Sequence, residues 1–503
     1  MIVSCAQMLE GERVAFARGV SAADLMEEAA RGIFEAIRQF HPQPGTAVLY
    51  LGKGNNAGDA LVVGRLMLDS GWKVLARPVG EVAEFKELPA KHWQVISDRV
   101  PIVADLSPLY REPGALVLVD GILGIGASPS PLKGAYAAAV GEMNALRRAR
   151  HAFTVAIDLP SGLNPTADAP SESACVEADL TVTVAHAKDV LLADGATKWV
   201  GRLAIAPLAE LESIHTEETA RVITSRDLLP ELPCRSFDFH KGQAGRVGIV
   251  AGSRGFVGAA LLTATAALRG GAGLITLYVM EEDYSIFAAQ APLEVMVKPV
   301  ADYLEVLANK HDALAIGPGL GKESQERILE IIQLSEAPMV LDADALNMLA
   351  EGHLDLLKTL KAPALLTPHP GEMQRLTKGG AHVHAGATRR EQAEKMSVAF
   401  PGTTWLLKGS RTVIATQDQA TSFNTTGQPG MATGGMGDVL TGLCAALMGQ
   451  GLSLHEGACL GAWLSGRSAE RAMLAGQSAE SLSPGDVLAH LGEAFTDLKR
   501  GVF

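Results

Sequence analysis

GMATGGMGD, Gly430 to Asp438, runs straight into the apolar stretch Val439 to Leu447. Glycines let backbone N–H groups converge on an anion without interference from a Cβ. The stretch that follows reads as a helix, and its positive N-terminal end faces the same point. Asp438 stands where that helix begins. A carboxylate beside a phosphate cradle has a use if it takes a proton from a substrate hydroxyl as the hydroxyl attacks a terminal phosphate. The stretch therefore points to phosphoryl transfer to a hydroxyl. A plain helix cap after a flexible loop is the alternative.

A second glycine loop, GKGNNAGD (Gly52 to Asp59), follows the apolar run Thr46 to Leu51 and precedes ALVVGRLML, which has helical spacing. Strand, polar glycine loop, helix is how open α/β sheets bind phosphates and nucleotides. The loop is neither a dinucleotide fingerprint nor a P-loop. Asn55 and Asn56 add amide oxygens suited to an ion or an amide-bearing ligand. Read alone, it is equally an ordinary strand-to-helix turn.

The rest of the chain alternates in the same way. Ser21 to Gln39 places Leu25, Met26, Ala29, Ile33 and Ile37 on one helical face. Strand-like runs follow at Thr46–Leu51, Val74–Pro78, Ala115–Asp120, Phe153–Asp158 and Leu180–Ala185, two of them ending in an acid before a glycine-bearing loop (VDGILGIG, AIDLPSG). Composition then turns polar and proline-bearing near 208–240, which reads as a linker and the edge of a second domain. Beyond it, Arg246–Ala251, Leu274–Val279, Ala313–Ile316, Met339–Asp342, Ala364–Thr367 and Thr404–Lys408 read as strands, and Thr412–Thr416 with Ala420–Asn424 as a hairpin. Five loops, mostly at strand carboxyl ends, join GGMGD: GSRGFVGAA, GPGLG, LDADALN, TPHPGE and KGSRT.

At 503 residues the chain holds two to four domains by length alone. A formal net charge of −13 argues against a nucleic-acid-binding surface. Cys5, Cys175, Cys234, Cys444 and Cys459 form no close CxxC pair, which fits a reducing compartment and disfavours zinc. Every long apolar stretch is interrupted by charged or polar residues, so no membrane span is expected.

In this combination and order the motifs resemble the bifunctional NAD(P)H-hydrate repair enzymes over most of the chain. LMEEAARGI, GKGNNAGD, VDGILGIG and AIDLPSG carry the likeness in the first half; GSRGFVGAA, GPGLG, LDADALN, TPHPGE, KGSRT and GGMGD carry it in the second. The resemblance implies a Rossmann-like three-layer α/β epimerase domain over 1–212, a linker over 213–235, and a ribokinase-like α/β ADP-dependent dehydratase domain over 236–503. It implies that Asn55, Asn56, Ala57, Gly58 and Asp59, with Gly124, Ile125, Gly126, Ala127, Ser128, Pro129 and Ser130, wrap the hydrated cofactor, and that Asp158 contacts it as acid or base. A potassium ion would sit at Asn56, Asp120 and Ser161. Ala259, Gly319, His369 and Asp438 would line the second hydrate site, with Asp438 as catalytic base. Lys408, Gly409, Ser410, Arg411, Thr412 and Gly437 would hold ADP or ATP, with Mg²⁺. The implied small molecules are NADHX and NADPHX, in a cytoplasmic homo-oligomer without nucleic-acid or membrane partners. A ribokinase-like kinase fused to a ligand-binding domain, and a non-catalytic nucleotide sensor, are the competing readings.

Some positions depart from the family pattern. Ala57 and Ala60 replace glycines of NNGGDG, and either would be strained if its φ were positive. Ile125 removes a hydroxyl, Gln7 stands where an acid is common, and Met436 replaces a threonine of GGTGD.

Overall fold

The computed structural model describes residues 1–127, 131–164, 174–211, 218–378 and 382–503. The chain divides into two compact units, Met1–Glu218 and Thr219–Val502. No described helix is long and apolar enough to cross a membrane.

The first unit opens with helices α1 (Cys5–Ala17) and α2 (Ala22–Phe40). Ser21 caps α2 through the Asp24 N–H, close to the start that the spacing predicts. Strands β1 (Thr46–Leu51), β2 (Lys73–Pro78), β3 (Leu116–Gly121), β4 (Phe153–Ile157), β5 (Leu180–Val184) and β6 (Arg202–Ala206) follow, with α3 (Asn55–Asp69) after β1 and α4 (Gly134–Arg150) before β4. They form one sheet in the order β2-β1-β3-β4-β5-β6, parallel throughout. Alternate residues serve opposite faces. Leu49 and Leu51 pack with Ile33, Ile37 and Val63 on one side. Val48 and Tyr50 pack with Leu118, Val140 and Met143 on the other. The unit is therefore a three-layer sandwich, with its carboxyl-end loops gathered along one edge.

The second unit carries strands β7 (Ala220–Val222), β8 (Arg246–Val250), β9 (Leu274–Met280), β10 (Met296–Val300), β11 (Ala313–Ile316), β12 (Met339–Leu341), β13 (Ala364–Leu366), β14 (Thr403–Leu407), β15 (Thr412–Thr416) and β16 (Thr421–Asn424). The sheet order is β10-β9-β8-β11-β12-β13-β14-β15-β16-β7. Pairing is parallel from β10 to β14 and antiparallel across β14-β15-β16, the hairpin expected from sequence. Helices α5 (Val257–Arg269), α6 (Pro370–Leu376), α7 (Arg389–Ala399), α8 (Met436–Gly449) and α9 (Leu454–Leu474) bear on the site or its support. Helix α8 is buried from Val439 to Gly449 and packs against α5 and α9. Gly442 permits the α5 contact, since a Cβ there would fall 2.0 Å from the Thr263 carbonyl oxygen.

One boundary is corrected. Part of the expected linker, 213–235, is structured: Ala220–Val222 pairs in parallel with β16, and Thr224 caps the short helix Ser225–Leu228 in a box with Asp227. A three-residue edge strand among acidic and hydroxyl residues is too short to show a period of two. The departures at 57 and 60 also resolve. Both alanines lie inside α3, fully buried, and neither is among the residues with positive φ.

Two candidate active sites

In the first unit, β3 ends at Asp120 and Gly121 and β4 at Ile157, with Asp158 next. Asp120 is fully buried and accepts from the Ser161 N–H at 2.7 Å, the Ser161 hydroxyl at 2.7 Å and the Ile122 N–H at 3.2 Å. Burial pushes its carboxyl up to about 6, against those hydrogen bonds. Among the described residues no lysine or arginine pairs with it. The Asn56 Nδ2 donates to the Leu123 carbonyl at 2.9 Å, and the Leu123 N–H donates to the Ser161 Oγ at 2.9 Å. Asn56, Asp120 and Ser161 are thus drawn together around Leu123. A buried carboxylate without a cationic partner, beside amide and hydroxyl oxygens, is a donor set that fits a monovalent cation better than a transition metal.

Asp158 has φ +65°, a region few non-glycine residues adopt. That turn sets its carboxylate against Lys188, whose Nζ donates to Oδ1 at 2.5 Å, to the Thr183 hydroxyl at 3.0 Å and to the Val184 carbonyl at 2.9 Å. Lys188 is buried to 1% exposure. Glu12 from α1, Asp59 from the first turns of α3, Asp158 and Lys188 line one cavity of about 370 Å³. Leu9, Phe16, Met26 and Ile125 supply apolar wall. Burial, then Asp158 and Glu12, push the Asp59 carboxyl well above the usual range. Burial and Asp158 raise that of Glu12. Asn55, Asn56, Gly124, Ile125, Gly126 and Ala127 also line this cavity. Ala57 and Gly58 are buried behind it in α3. Ser128, Pro129 and Ser130 lie outside the described residues. Gln7 is engaged elsewhere, in the capping box of α1 with Ser4.

In the second unit all six motif loops are stitched into one rim. The Gly252 N–H donates to the Pro318 carbonyl at 2.8 Å, and the Ser253 hydroxyl to the Gly319 carbonyl at 2.9 Å. The Gly321 N–H donates to Asp344 at 2.9 Å. The Lys408 N–H donates to the Pro368 carbonyl at 2.9 Å. The Lys408 Nζ donates to Asp342 Oδ1 at 2.7 Å, and the Thr441 hydroxyl of α8 donates to Asp342 Oδ2 at 2.8 Å. Asp342, just past β12, is therefore the hub that ties the KGSRT loop to the helix behind GGMGD.

The electrostatics follow from this packing. Burial works against ionising Asp342, but Lys408, with the Thr441 hydroxyl, holds its carboxyl below the usual range. Burial disfavours charge on Lys408 too, and Asp342 and Glu372 more than compensate, so its ammonium is raised. Asp438, in the first turn of α8, is pushed up to about 6 by burial and by Asp342, with Lys408 opposing. Gly435 starts α8 at φ +89°, and Gly437 leaves room for the ammonium: a Cβ there would stand 3.1 Å from the Lys408 Nζ. His369 caps α6, accepting at Nδ1 from the Gly371 and Glu372 N–H groups at 3.0 and 3.3 Å. Burial and Lys408 keep its imidazole below the ordinary histidine range. A Cβ on Gly319 would come within 3.1 Å of the Ala259 Cβ, so these two residues adjoin. Gly409 to Arg411 form the turn between β14 and β15, Thr412 opens β15, and the Arg389 guanidinium braces the turn by donating to the Leu407 and Lys408 carbonyls at 3.0 Å each.

Sequence reading gave no role to Glu12, Lys188, Thr441 or Arg389. Lys188 had one signal, a lone lysine within the apolar run TVTVAHAKDVLL. The other three sit on helices with nothing local to mark them.

Comparison with known proteins gives two family matches: residues 247–488 fit the model described as NAD(P)H-hydrate dehydratase, and 22–190 the YjeF-related protein N-terminus. The bifunctional NAD(P)H-hydrate repair enzyme of Moorella thermoacetica is 35% identical over 100% of this chain and 98% of its own length. That of Coxiella burnetii is 34% identical over 96% and 97%. Among solved structures, the ADP/ATP-dependent NAD(P)H-hydrate dehydratase of Bacillus subtilis, co-crystallised with ATP/Mg²⁺, aligns with a TM-score of 0.49 and 28% identity, covering 56% of this chain and all of the other.

Proposed function

The chain belongs to the bifunctional NAD(P)H-hydrate repair enzymes, and on that footing we propose that its first unit interconverts the R and S hydrates of NADH and NADPH while its second dehydrates the S hydrate with ADP. The observation that carries the second activity is the placement of Asp438. It is a partly buried carboxylate in the first turn of a helix behind a glycine loop, beside a lysine held in place by Asp342.

The chemistry follows. The C6 hydroxyl of the hydrate gives its proton to Asp438 as its oxygen attacks the terminal phosphoryl of ADP, and AMP leaves. The GGMGD amides, the α8 N-terminus and Lys408 hold the charge on the transferring group. The C6–O bond then breaks, phosphate departs, and the ring-nitrogen lone pair fills the gap. Loss of a proton from C5 restores the C5=C6 bond. Mg²⁺ would be held at the nucleotide site largely by the nucleotide phosphates, as is common for this ion. Bound there, Mg²⁺ would offset negative charge on the phosphates.

In the first unit, loss of the hydroxyl as water and return of water to the opposite ring face invert C6. Asp158, paired with Lys188 at 2.5 Å, is the proposed proton-handling group. Asn56, Asp120 and Ser161 would hold potassium, whose charge would balance the buried Asp120. Ala259, Gly319 and His369 line the proposed hydrate site of the second unit, and Gly409, Ser410, Arg411, Thr412 and Gly437 the nucleotide site. The free cysteines support a cytoplasmic home, and the proposed homo-oligomer is checked by light scattering.

The test is to supply the pure protein with S-NADHX, ADP and Mg²⁺ and to follow the reduced-nicotinamide band. NADH should appear with equimolar AMP and phosphate. A stable phosphorylated hydrate would instead establish a kinase, and no turnover a nucleotide sensor.

A further inference from the structure

A hydrated dinucleotide carries at least the two charges of its pyrophosphate. The first unit meets it with acid: Glu12, Asp59 and Asp158 all line the cavity, in a chain of formal net charge −13. Those acids offer the pyrophosphate no partner, so cations on the same cavity are what would hold it. Three lysines line it: Lys53, Lys86 and Lys188. Lys188 is buried and matched by Asp158 at 2.5 Å. Lys53 and Lys86 remain.

These two come from separate segments, the GKGNNAGD loop and the stretch beyond β2, yet the Lys86 N–H donates to the Lys53 carbonyl at 3.0 Å. That bond fixes their backbones side by side. Both side chains are exposed. Among the described residues, neither ammonium has a carboxylate within ion-pair distance. Glu87, next to Lys86, is taken by Lys91 at 2.8 Å. The cavity, about 370 Å³, is at the small end of the roughly 300–1,000 Å³ range of ligand pockets. With the nicotinamide end in the cavity, the phosphates would lie toward the exposed lysines of its lining.

We propose that Lys53 and Lys86 form the phosphate subsite of the first unit and hold the pyrophosphate of the hydrated dinucleotide. The proposal rests on the epimerase reading above. Two point charges on flexible stems bind both NADHX and NADPHX, because the pyrophosphate is common to both.

The experiment is epimer-resolved kinetics on the full chain without ADP, so that the second unit is idle, with NADHX and NADPHX as separate substrates. Lys53→Met and Lys86→Met should each raise KM about two- to fivefold for both substrates, and the double variant about tenfold, as expected for exposed charge contacts. kcat should stay within about twofold and the melting temperature should not move. Added salt should weaken binding to the unaltered chain more than to the double variant. Lys53→Arg and Lys86→Arg should restore KM. A rise confined to NADPHX overturns the pyrophosphate assignment and moves the lysines to the 2′-phosphate. An unchanged KM for both substrates overturns the subsite altogether. An unaltered chain that interconverts nothing above the spontaneous rate defeats the epimerase reading first, and the subsite with it.

Discussion

Asp438 is held near the middle of the working pH range by opposing neighbours: burial and Asp342 push it up to about 6, and Lys408 pulls it down. A base acts only when ionised. The dehydration rate should therefore rise with pH through about 6 and level off above, in a kcat profile taken with saturating ADP. Lys408→Met removes the opposing cation, so the rising limb should move to higher pH; an unmoved limb would mean that another group controls it. Asp438→Asn should lower kcat by about 10²–10⁴ while ADP binding, followed by calorimetry, survives. Near-normal turnover in that variant would remove the base from Asp438. The place of Asp438 at the start of a helix was legible in the sequence, because glycine spacing marks a loop and the apolar stretch after it a helix. Lys188 and Glu12 were not. Their roles come from a left-handed turn at Asp158 and from α1 lining a cavity built mainly by distant segments, and neither leaves a local pattern.

Among the elements, the packing of α3 on β3 explains the unusual alanine at position 60, in α3 just after GKGNNAGD. A Cβ on Gly121 would stand 2.5 Å from the Ala60 Cβ, so the methyl of Ala60 occupies the space that Gly121 leaves open. Gly121→Ala should destabilise the first unit by about 1–3 kcal/mol through overpacking, read by denaturant unfolding. Adding Ala60→Gly should recover part of that loss. The recovery is incomplete, because the new Cβ also lies 3.0 Å from the Asn56 carbonyl and glycine weakens the helix by about 1 kcal/mol. A double variant no more stable than the single one would contradict this packing. Strands with continuous apolar runs between glycine turns were readable from sequence. Met296–Val300 was not, because Pro299 argues against a strand. It is tolerated there because β10 is the sheet edge, paired only with β9. Ala220–Val222 escaped notice for its three-residue length.

For the whole molecule, the two units each own a sheet and a candidate site, and the boundary falls at Glu218 and Thr219. A chain divided between 211 and 219 should yield two pieces that each melt cooperatively and keep one activity apiece. A cut beyond 219 should cost the second piece stability, because it strips β7 from β16. Fragments that fail to fold when cut at 218 would show that the units depend on each other. The two activities together make one claim, that either hydrate is returned to the reduced cofactor. It is tested most directly by giving the intact protein an equal mixture of R and S NADHX with ADP, Mg²⁺ and potassium, and following both epimers and NADH. Both epimers should disappear at matching enzyme-dependent rates, with one AMP and one phosphate for each NADH. An R hydrate that persists at its spontaneous rate after the S hydrate is consumed would contradict the epimerase, and a phosphorylated hydrate that accumulates without NADH would contradict the dehydratase.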